Sequence, residues 1–121
     1  MNVVLIEDEN MLRKSLAFFL RAQNYEVVEF DNGMDAIEYI HQNHETIQLV
    51  ITDLNLPFAG GKQVLHSSST YKQIKKIVLT SQTIDTTEIE VFDLGADEFI
   101  AKPFSPQVLL KRIEKLLPGS N

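Results

Sequence analysis

The stretch Val50-Ile-Thr-Asp-Leu-Asn-Leu-Pro57 places an apolar, β-branched run before a single carboxylate, Asp53, and a turn signal after it. Such a run predicts a buried strand that ends at the acid. An aspartate followed by a proline is also common where a strand simply opens into a loop. The interpretation of Asp53 as a functional residue therefore depends on which other residues the fold brings beside it.

Strand and helix signals alternate along the whole chain. Apolar runs predict five strands, over Val3–Ile6, Tyr25–Phe30, Leu49–Thr52, Ile74–Leu79 and Phe99–Ala101. Five helices are predicted between and after them. The first is capped by Asn10, with Met11, Leu12, Leu16, Phe19 and Leu20 at helical spacing. The second is opened by Gly33 or Asp35, and a weakly marked third covers Lys62–Thr70. The fourth begins with a capping box at residues 85–88, and the fifth opens at Ser105-Pro106. Buried strands alternating with helices predict a doubly wound α/β sandwich around a parallel sheet.

Length and composition narrow the class of protein. The 121 residues are 44% hydrophobic, so we expect a single domain over residues 1–121, with 118–121 as a tail or the start of a linker. The absence of cysteine excludes disulfides, thiolate zinc sites and cysteine catalysis, and it is compatible with the cytoplasm. The short N-terminal apolar run ends at acids, which predicts neither a signal peptide nor a membrane span. The net charge of −6 argues against direct binding to nucleic acid.

Chemically active side chains follow four of the predicted strands. They are Glu7-Asp8-Glu9, Asp53, Thr80-Ser81 and Lys102. In a sheet of order 2-1-3-4-5, the first and third strands are neighbours and their acids would meet in one cleft. Clustered carboxylates repel one another unless a cation lies between them, and hard oxygen ligands suit Mg²⁺. A metal, an ammonium and a hydroxyl around one carboxylate favour phosphoryl transfer to that carboxylate.

Four segments of the sequence form a recognisable set. They are Val4-Leu-Ile-Glu-Asp-Glu9, Leu49-Val-Ile-Thr-Asp-Leu-Asn-Leu-Pro57 with Gly61, Ile77-Val-Leu-Thr-Ser81, and Gly95-Ala-Asp-Glu-Phe-Ile-Ala-Lys-Pro-Phe104. Together they resemble the receiver domain of two-component response regulators. The resemblance extends from Val3 to Leu117. It implies a flavodoxin-like (βα)5 three-layer sandwich with a five-stranded parallel sheet of order 2-1-3-4-5.

The same resemblance implies a role for each matching residue. Asp53 would be the phosphoacceptor, and Lys102 would pair with the phosphoryl group ahead of a cis peptide bond at Pro103. The Mg²⁺ ligands would be Asp8, Asp53, the backbone carbonyl of Asn55 and, mostly through water, Glu7. Thr80 and Phe99 would form the switch pair, and Asn55, Ser81 and Gln82 would tune the lifetime of the phosphoryl group.

The resemblance also implies the partners. A histidine kinase or phosphotransfer protein would supply the phosphoryl group, and the domain would catalyse only its own phosphorylation and dephosphorylation. The response would be read on a face made by the fourth helix, fifth strand and fifth helix. Asp97, Lys111, Arg112 and Lys115 are candidate contacts there, including contacts in a homodimer.

Three other functions share parts of this pattern. A flavodoxin-like FMN binder would need a hydroxyl- and glycine-rich loop after the first strand, where this chain has Glu7-Asp8-Glu9. A phosphatase of the haloacid dehalogenase type would need an acid two residues after its nucleophile, where this chain has Asn55. A receiver-like interaction module that takes no phosphate remains an alternative, although Asp8, Asp53, Thr80 and Lys102 are all present.

Overall fold

The computed structural model describes residues 1–81 and 85–119, apart from the side chains of residues 85 and 86, and there five parallel strands alternate with five helices. The strands are β1 (Asn2–Ile6), β2 (Glu26–Phe30), β3 (Leu49–Asp53), β4 (Lys75–Thr80) and β5 (Glu98–Ala101). The helices are α1 (Asn10–Ala22), α2 (Gly33–Asn43), α3 (Gly61–Ser67), α4 (Asp85–Asp93) and α5 (Pro106–Leu116). The sheet order is β2-β1-β3-β4-β5, which confirms the predicted flavodoxin-like sandwich.

The central strands are buried because both faces of the sheet are covered by helices. Alternate residues of β1 point to opposite faces. Val3 and Leu5 join one core cluster, which includes Leu16 of α1 and Ile113 of α5. The intervening residues, Val4 and Ile6, join a second cluster with Ala36 and Ile40 of α2 and Val64 of α3. Continuous apolar runs in the sequence are therefore explained by burial on two sides.

The strand register decides which side chains meet at the carboxyl edge of the sheet. Ile6 of β1 is aligned with Thr52 of β3, so the residues that follow them, Glu7 and Asp53, lie side by side. Two strands end one residue later than the sequence predicts, at Asp53 and Thr80. Both side chains are therefore fixed by strand pairing and do not belong to a loop.

Helix α1 differs from its prediction at the first turn. The N-cap residue is Glu9 and not Asn10, and Asn10 is the first helical residue. Met11, which the sequence pattern places with the buried residues, is 82% exposed. At 100° per residue, Met11 lies on the same side of the helix as Phe18, which is also exposed, and away from Leu16.

Helices α2 and α5 begin with side-chain caps. Helix α2 begins at Gly33, and Asn32 caps it by accepting from the Asp35 backbone N–H at 2.9 Å. Ser105 caps α5, where Pro106 opens the helix as predicted. Helix α3 ends at Ser67, three residues earlier than predicted.

None of the helices in the described ranges is long and apolar enough to cross a membrane.

Candidate functional site

Three carboxylates converge beyond the carboxyl ends of β1 and β3. Glu7, Asp8 and Asp53 each offer an oxygen, and these oxygens all lie within 4.8 Å of one another. Glu7 is 1% exposed and Asp53 is 6% exposed, whereas Asp8 lies open to solvent. The backbone amide of Glu9 donates to Oε2 of Glu7 at 3.1 Å, and that of Asn55 donates to Oδ1 of Asp53 at 3.3 Å. The acids predicted from sequence to meet therefore do so.

Lys102 follows β5 and reaches across this edge to two of the acids. Its ammonium donates to Oε1 of Glu7 at 2.7 Å and to Oδ2 of Asp53 at 2.9 Å. Its backbone N–H donates to the carbonyl of Thr80 at 2.8 Å, and its peptide bond to Pro103 is cis. The ends of β1, β3 and β5 thus each contribute a charged group to one hydrogen-bonded cluster.

The electrostatics of this cluster show a shortage of positive charge. Burial raises the pKa of Glu7, and the charge of Asp53 adds to the rise, against hydrogen bonds from Lys102 and the Glu9 amide. Burial alone would lower the pKa of Lys102, but its hydrogen bonds to Glu7 and Asp53 and their charges raise it overall. Three carboxylates against one ammonium leave a formal balance of −2.

The donor set fits a small divalent cation. Carboxylate and carbonyl oxygens are the ligands that Mg²⁺ takes in proteins, commonly together with water and phosphate oxygens. The exposure of Asp8 leaves one side of the cluster open to water and to a ligand. A divalent cation would also neutralise the formal charge of the acids and the lysine.

Thr80 and Phe99 lie on neighbouring strands beside α4. Thr80 is fully buried at the end of β4 and is paired with Ala101. Val78 is paired with Phe99, so the side chains of Thr80 and Phe99 point to the same face of the sheet. The half-buried ring of Phe99 packs on a cluster that includes Val91 of α4. The ring thus packs beside a helix that forms part of the expected partner face, and the hydroxyl lies on the same face of the sheet.

Two of the three residues expected to tune phosphoryl lifetime lie at the surface. Asn55 and Ser81 are exposed, and Gln82 lies outside the described residues. Ser81 belongs to a cleft of about 370 Å³. The cleft is lined by Glu9, Leu12, Ser81, Lys102, Pro103 and Phe104. The wall of this cleft thus combines apolar side chains with the lysine that contacts Glu7 and Asp53.

Arg13 supports the acid segment and was not identified from the sequence. Its guanidinium is buried on α1 and donates to the backbone carbonyl of Glu7 at 2.9 Å, to Asn10 at 2.6 Å and to Glu29 at 3.3 Å. A sequence signal does exist, because Arg13 precedes Leu16 by three residues on the buried stripe of α1. An arginine in such a stripe needs a buried acceptor.

The charged residues expected on the partner face are engaged with neighbours. Arg112 contacts Glu98 at 2.7 Å, and Lys115 contacts the same carboxylate at 3.6 Å. Lys111 pairs with Glu114 at 3.7 Å, while the Asp97 carboxylate accepts from the backbone N–H of Lys76. The two contacts of Glu98 connect α5 to β5.

Comparison with known proteins agrees with this geometry. Residues 3–114 match the family model of the response regulator receiver domain. The transcriptional regulatory protein SrrA of Staphylococcus aureus is 34% identical over 115 residues, which cover 95% of this chain and 47% of SrrA. The chain thus spans about half the length of the curated relatives it matches.

Solved structures share the fold over almost the whole chain. The BeF3-activated N-terminal receiver domain of Klebsiella pneumoniae RstA superposes with a TM-score of 0.88 at 29% identity, covering 98% of this chain and 99% of that one. The chemotaxis protein CheY4 of Vibrio cholerae gives a TM-score of 0.87 at 26% identity, covering 96% and 98%. With the family match extending over most of its length, the chain belongs to the response regulator receiver domain family of two-component systems.

Proposed function

We propose that this receiver domain is a phosphoacceptor switch in which Asp53 takes a phosphoryl group from a histidine kinase or a phosphotransfer protein. The observation that carries the proposal is the setting of Asp53. Its carboxylate ends a central strand, contacts the Lys102 ammonium at 2.9 Å and lies within 4.8 Å of oxygens from Glu7 and Asp8. Membership of the receiver family supports the class of donor.

Phosphoryl transfer needs a nucleophile and neutralisation of the charge on the transferred group. A carboxylate oxygen of Asp53 forms the new bond to phosphorus as the bond from phosphorus to the donor's imidazole nitrogen breaks. Lys102, which contacts Asp53, would pair with a phosphoryl oxygen as charge spreads over the group. The domain itself catalyses this transfer and the later hydrolysis, and it is also the substrate that is modified.

Asp8, Asp53 and the Asn55 carbonyl would hold Mg²⁺, with Glu7 acting mostly through water. At these ligands a bound Mg²⁺ would supply neutralisation of the negative charge on the phosphoryl oxygens. Glu7 is buried and already bonded to Lys102 and to the Glu9 amide, which supports an indirect role for its carboxylate. Asn55, Ser81 and Gln82 would then set how long the phosphoryl group lasts.

The switch would act through Thr80 and Phe99. Movement of the Thr80 hydroxyl toward the phosphoryl group would let the Phe99 ring turn inward and change the α4-β5-α5 face. That face would bind a partner or a second copy of the chain. We also propose that residues 1–121 form one receiver domain, with 118–121 as a tail or the start of a linker.

The direct test uses acetyl phosphate and Mg²⁺, with intact mass as the readout. We expect the parent chain to gain one phosphoryl group that hydroxylamine removes, as an acyl phosphate requires. The Asp53→Asn variant should gain none, while Asp35→Asn, altered at the first turn of α2, should behave as the parent does. An adduct on Asp53→Asn would refute the assignment of the nucleophile.

The same experiment separates the second candidate, a receiver-like module that takes no phosphate. Its prediction is that the parent chain gains no adduct, with or without Mg²⁺, although it remains folded.

For the switch itself, the amide resonances of β5 should move on phosphorylation of the parent. They should move much less in Thr80→Val, which keeps Asp53 but lacks the hydroxyl, and equal shifts in both proteins would contradict the switch role of Thr80.

A further inference from the structure

The loop that carries Asn55 is fixed at its base to the strand of the phosphoacceptor. This β3–α3 loop comprises residues 54–60. The Leu54 N–H donates to the carbonyl of Leu79 at 3.0 Å, and the Gly61 N–H donates to the carbonyl of Leu54 at 2.8 Å. Gly61 packs so closely that a Cβ there would lie 2.4 Å from the Asp53 carbonyl oxygen. The two ends of the loop are therefore held together directly beside Asp53.

The apex of the loop is held by a different element, the first turn of α2. The Gly33 N–H donates to the carbonyl of Pro57 at 3.3 Å, and the Met34 N–H donates to the carbonyl of Phe58 at 2.6 Å. The first amides of a helix have no acceptor within the helix, so the loop carbonyls satisfy them. A Cβ on Gly33 would lie 1.9 Å from the Ala59 carbonyl oxygen. Only glycine avoids this clash.

The conformation held there is one that L-residues with side chains rarely adopt. Phe58 has φ +50° and Ala59 has φ +79°, two consecutive non-glycine residues in the left-handed region. The Phe58 side chain is 71% exposed, so its burial does little to stabilise this conformation. The contacts with α2 are the interactions that favour it.

We infer that Gly33 and Ala59 are positioning residues for the metal site, because the contact between α2 and the loop apex sets where the Asn55 carbonyl lies. The inference rests on the proposed function, in which that carbonyl is a ligand. Asn55 lies between the fixed base and the fixed apex, and its own N–H donates to Oδ1 of Asp53 at 3.3 Å. A shift of the apex is thus transmitted to Asn55 over two residues of chain.

The test is Mg²⁺ affinity by titration calorimetry, alongside thermal unfolding, in four variants. Gly33→Ala should weaken binding about tenfold, the lower end of the range for groups that orient metal ligands. Ala59→Val should do the same, because a β-branched residue strongly disfavours the left-handed region, whereas Ala59→Gly, which permits it, should bind as the parent does.

Gly95→Ala is the matched control for general destabilisation. Gly95 has φ +108° with open space around it and lies between α4 and β5, at the opposite edge of the sheet. Its substitution should lower the unfolding temperature without changing Mg²⁺ affinity. If Gly33→Ala fails to fold, the two Ala59 variants decide the question on their own.

The outcomes distinguish a failure of the proposed metal site from a failure of the positioning role. A parent chain that does not bind Mg²⁺ refutes the metal part of the proposed function. If the parent binds Mg²⁺ and the Ala59→Val and Ala59→Gly variants bind it with equal affinity, the positioning role alone is overturned. A loss of affinity in Gly95→Ala as large as in Gly33→Ala also overturns it, because the effect would then follow stability and not the loop.

Discussion

Replacing Lys102 with methionine would remove the ammonium that bridges two buried carboxylates while keeping most of the volume of the side chain. The side chains of Glu7 and Asp53 are 1% and 9% exposed, and that of Lys102 is 19% exposed. Removing one partner of a buried ion pair typically costs about 3–5 kcal/mol. Water reaches the partly exposed lysine, so we expect a smaller loss of about 2–3 kcal/mol at neutral pH, at or just below the lower end of that range.

The pH dependence of this loss has a defined sign. Burial and the charge of Asp53 already raise the pKa of Glu7, and removing Lys102 raises it further. A carboxyl whose pKa is higher in the folded state takes up a proton on folding. Its favourable contribution is complete below the unfolded pKa and is lost as the pH rises through the folded pKa. The deficit of Lys102→Met should therefore shrink as the pH falls toward the ordinary carboxyl value of 4.5.

Urea unfolding in the presence of a chelator measures both effects. The matched control is Lys62→Met, whose ammonium contacts Glu90 at 2.6 Å between side chains that are 45% and 52% exposed. That exposed pair should contribute less than about 1 kcal/mol. If Lys102→Met loses no more stability than Lys62→Met, or if its deficit grows as the pH falls, the Lys102 ammonium does not stabilise the two buried carboxylates in this way.

Three further results are expected. Arg13→Met should lower the free energy of unfolding by about 2–3 kcal/mol, because the Glu7 carbonyl and Glu29 lose a buried donor; a parent-like urea midpoint would contradict this. Gly61→Ala should cost about 1–3 kcal/mol through overpacking against the Asp53 carbonyl, and calorimetry should show a lower Tm than the parent's. Mg²⁺ at ten times its Kd should stabilise the chain by about 1.4 kcal/mol, so adding chelator should lower the Tm, and unchanged melting would argue against a metal site.

The sheet and most of its site were predictable because parallel strands place their ends together. Four apolar runs each led directly to a polar residue, and the strand order then determined which of those residues became neighbours. The alignment of Ile6 with Thr52 makes Glu7 and Asp53 adjacent without any contribution from loops. The strands and the polar residues at their ends are predictable because each short segment of sequence contains both the burial pattern of a strand and its terminal side chain.

What the sequence did not reveal depends on contacts between distant segments. Arg13 lies on the buried stripe of α1, but the sequence does not show its acceptors, a backbone carbonyl and Glu29 on β2. The left-handed conformation of Phe58 and Ala59 has no signal in residue type, because glycine or asparagine is the usual occupant of that region. The exposure of Met11 is a different case, because it follows from the angular position of that residue on α1, which is local in sequence.

The bond between Lys102 and Glu7 joins residues 95 positions apart, nearly the full span of the chain. During synthesis β1 emerges long before residue 102 exists, so the Glu7 carboxylate has to remain hydrated until β5 has been added. Contacts between such distant residues form late, after the cost of closing the intervening chain has been met. An incompletely made or partly unfolded chain therefore lacks the ammonium beside Asp53. The contact between Lys102 and Asp53 is thereby restricted to molecules whose first and last strands are both in place.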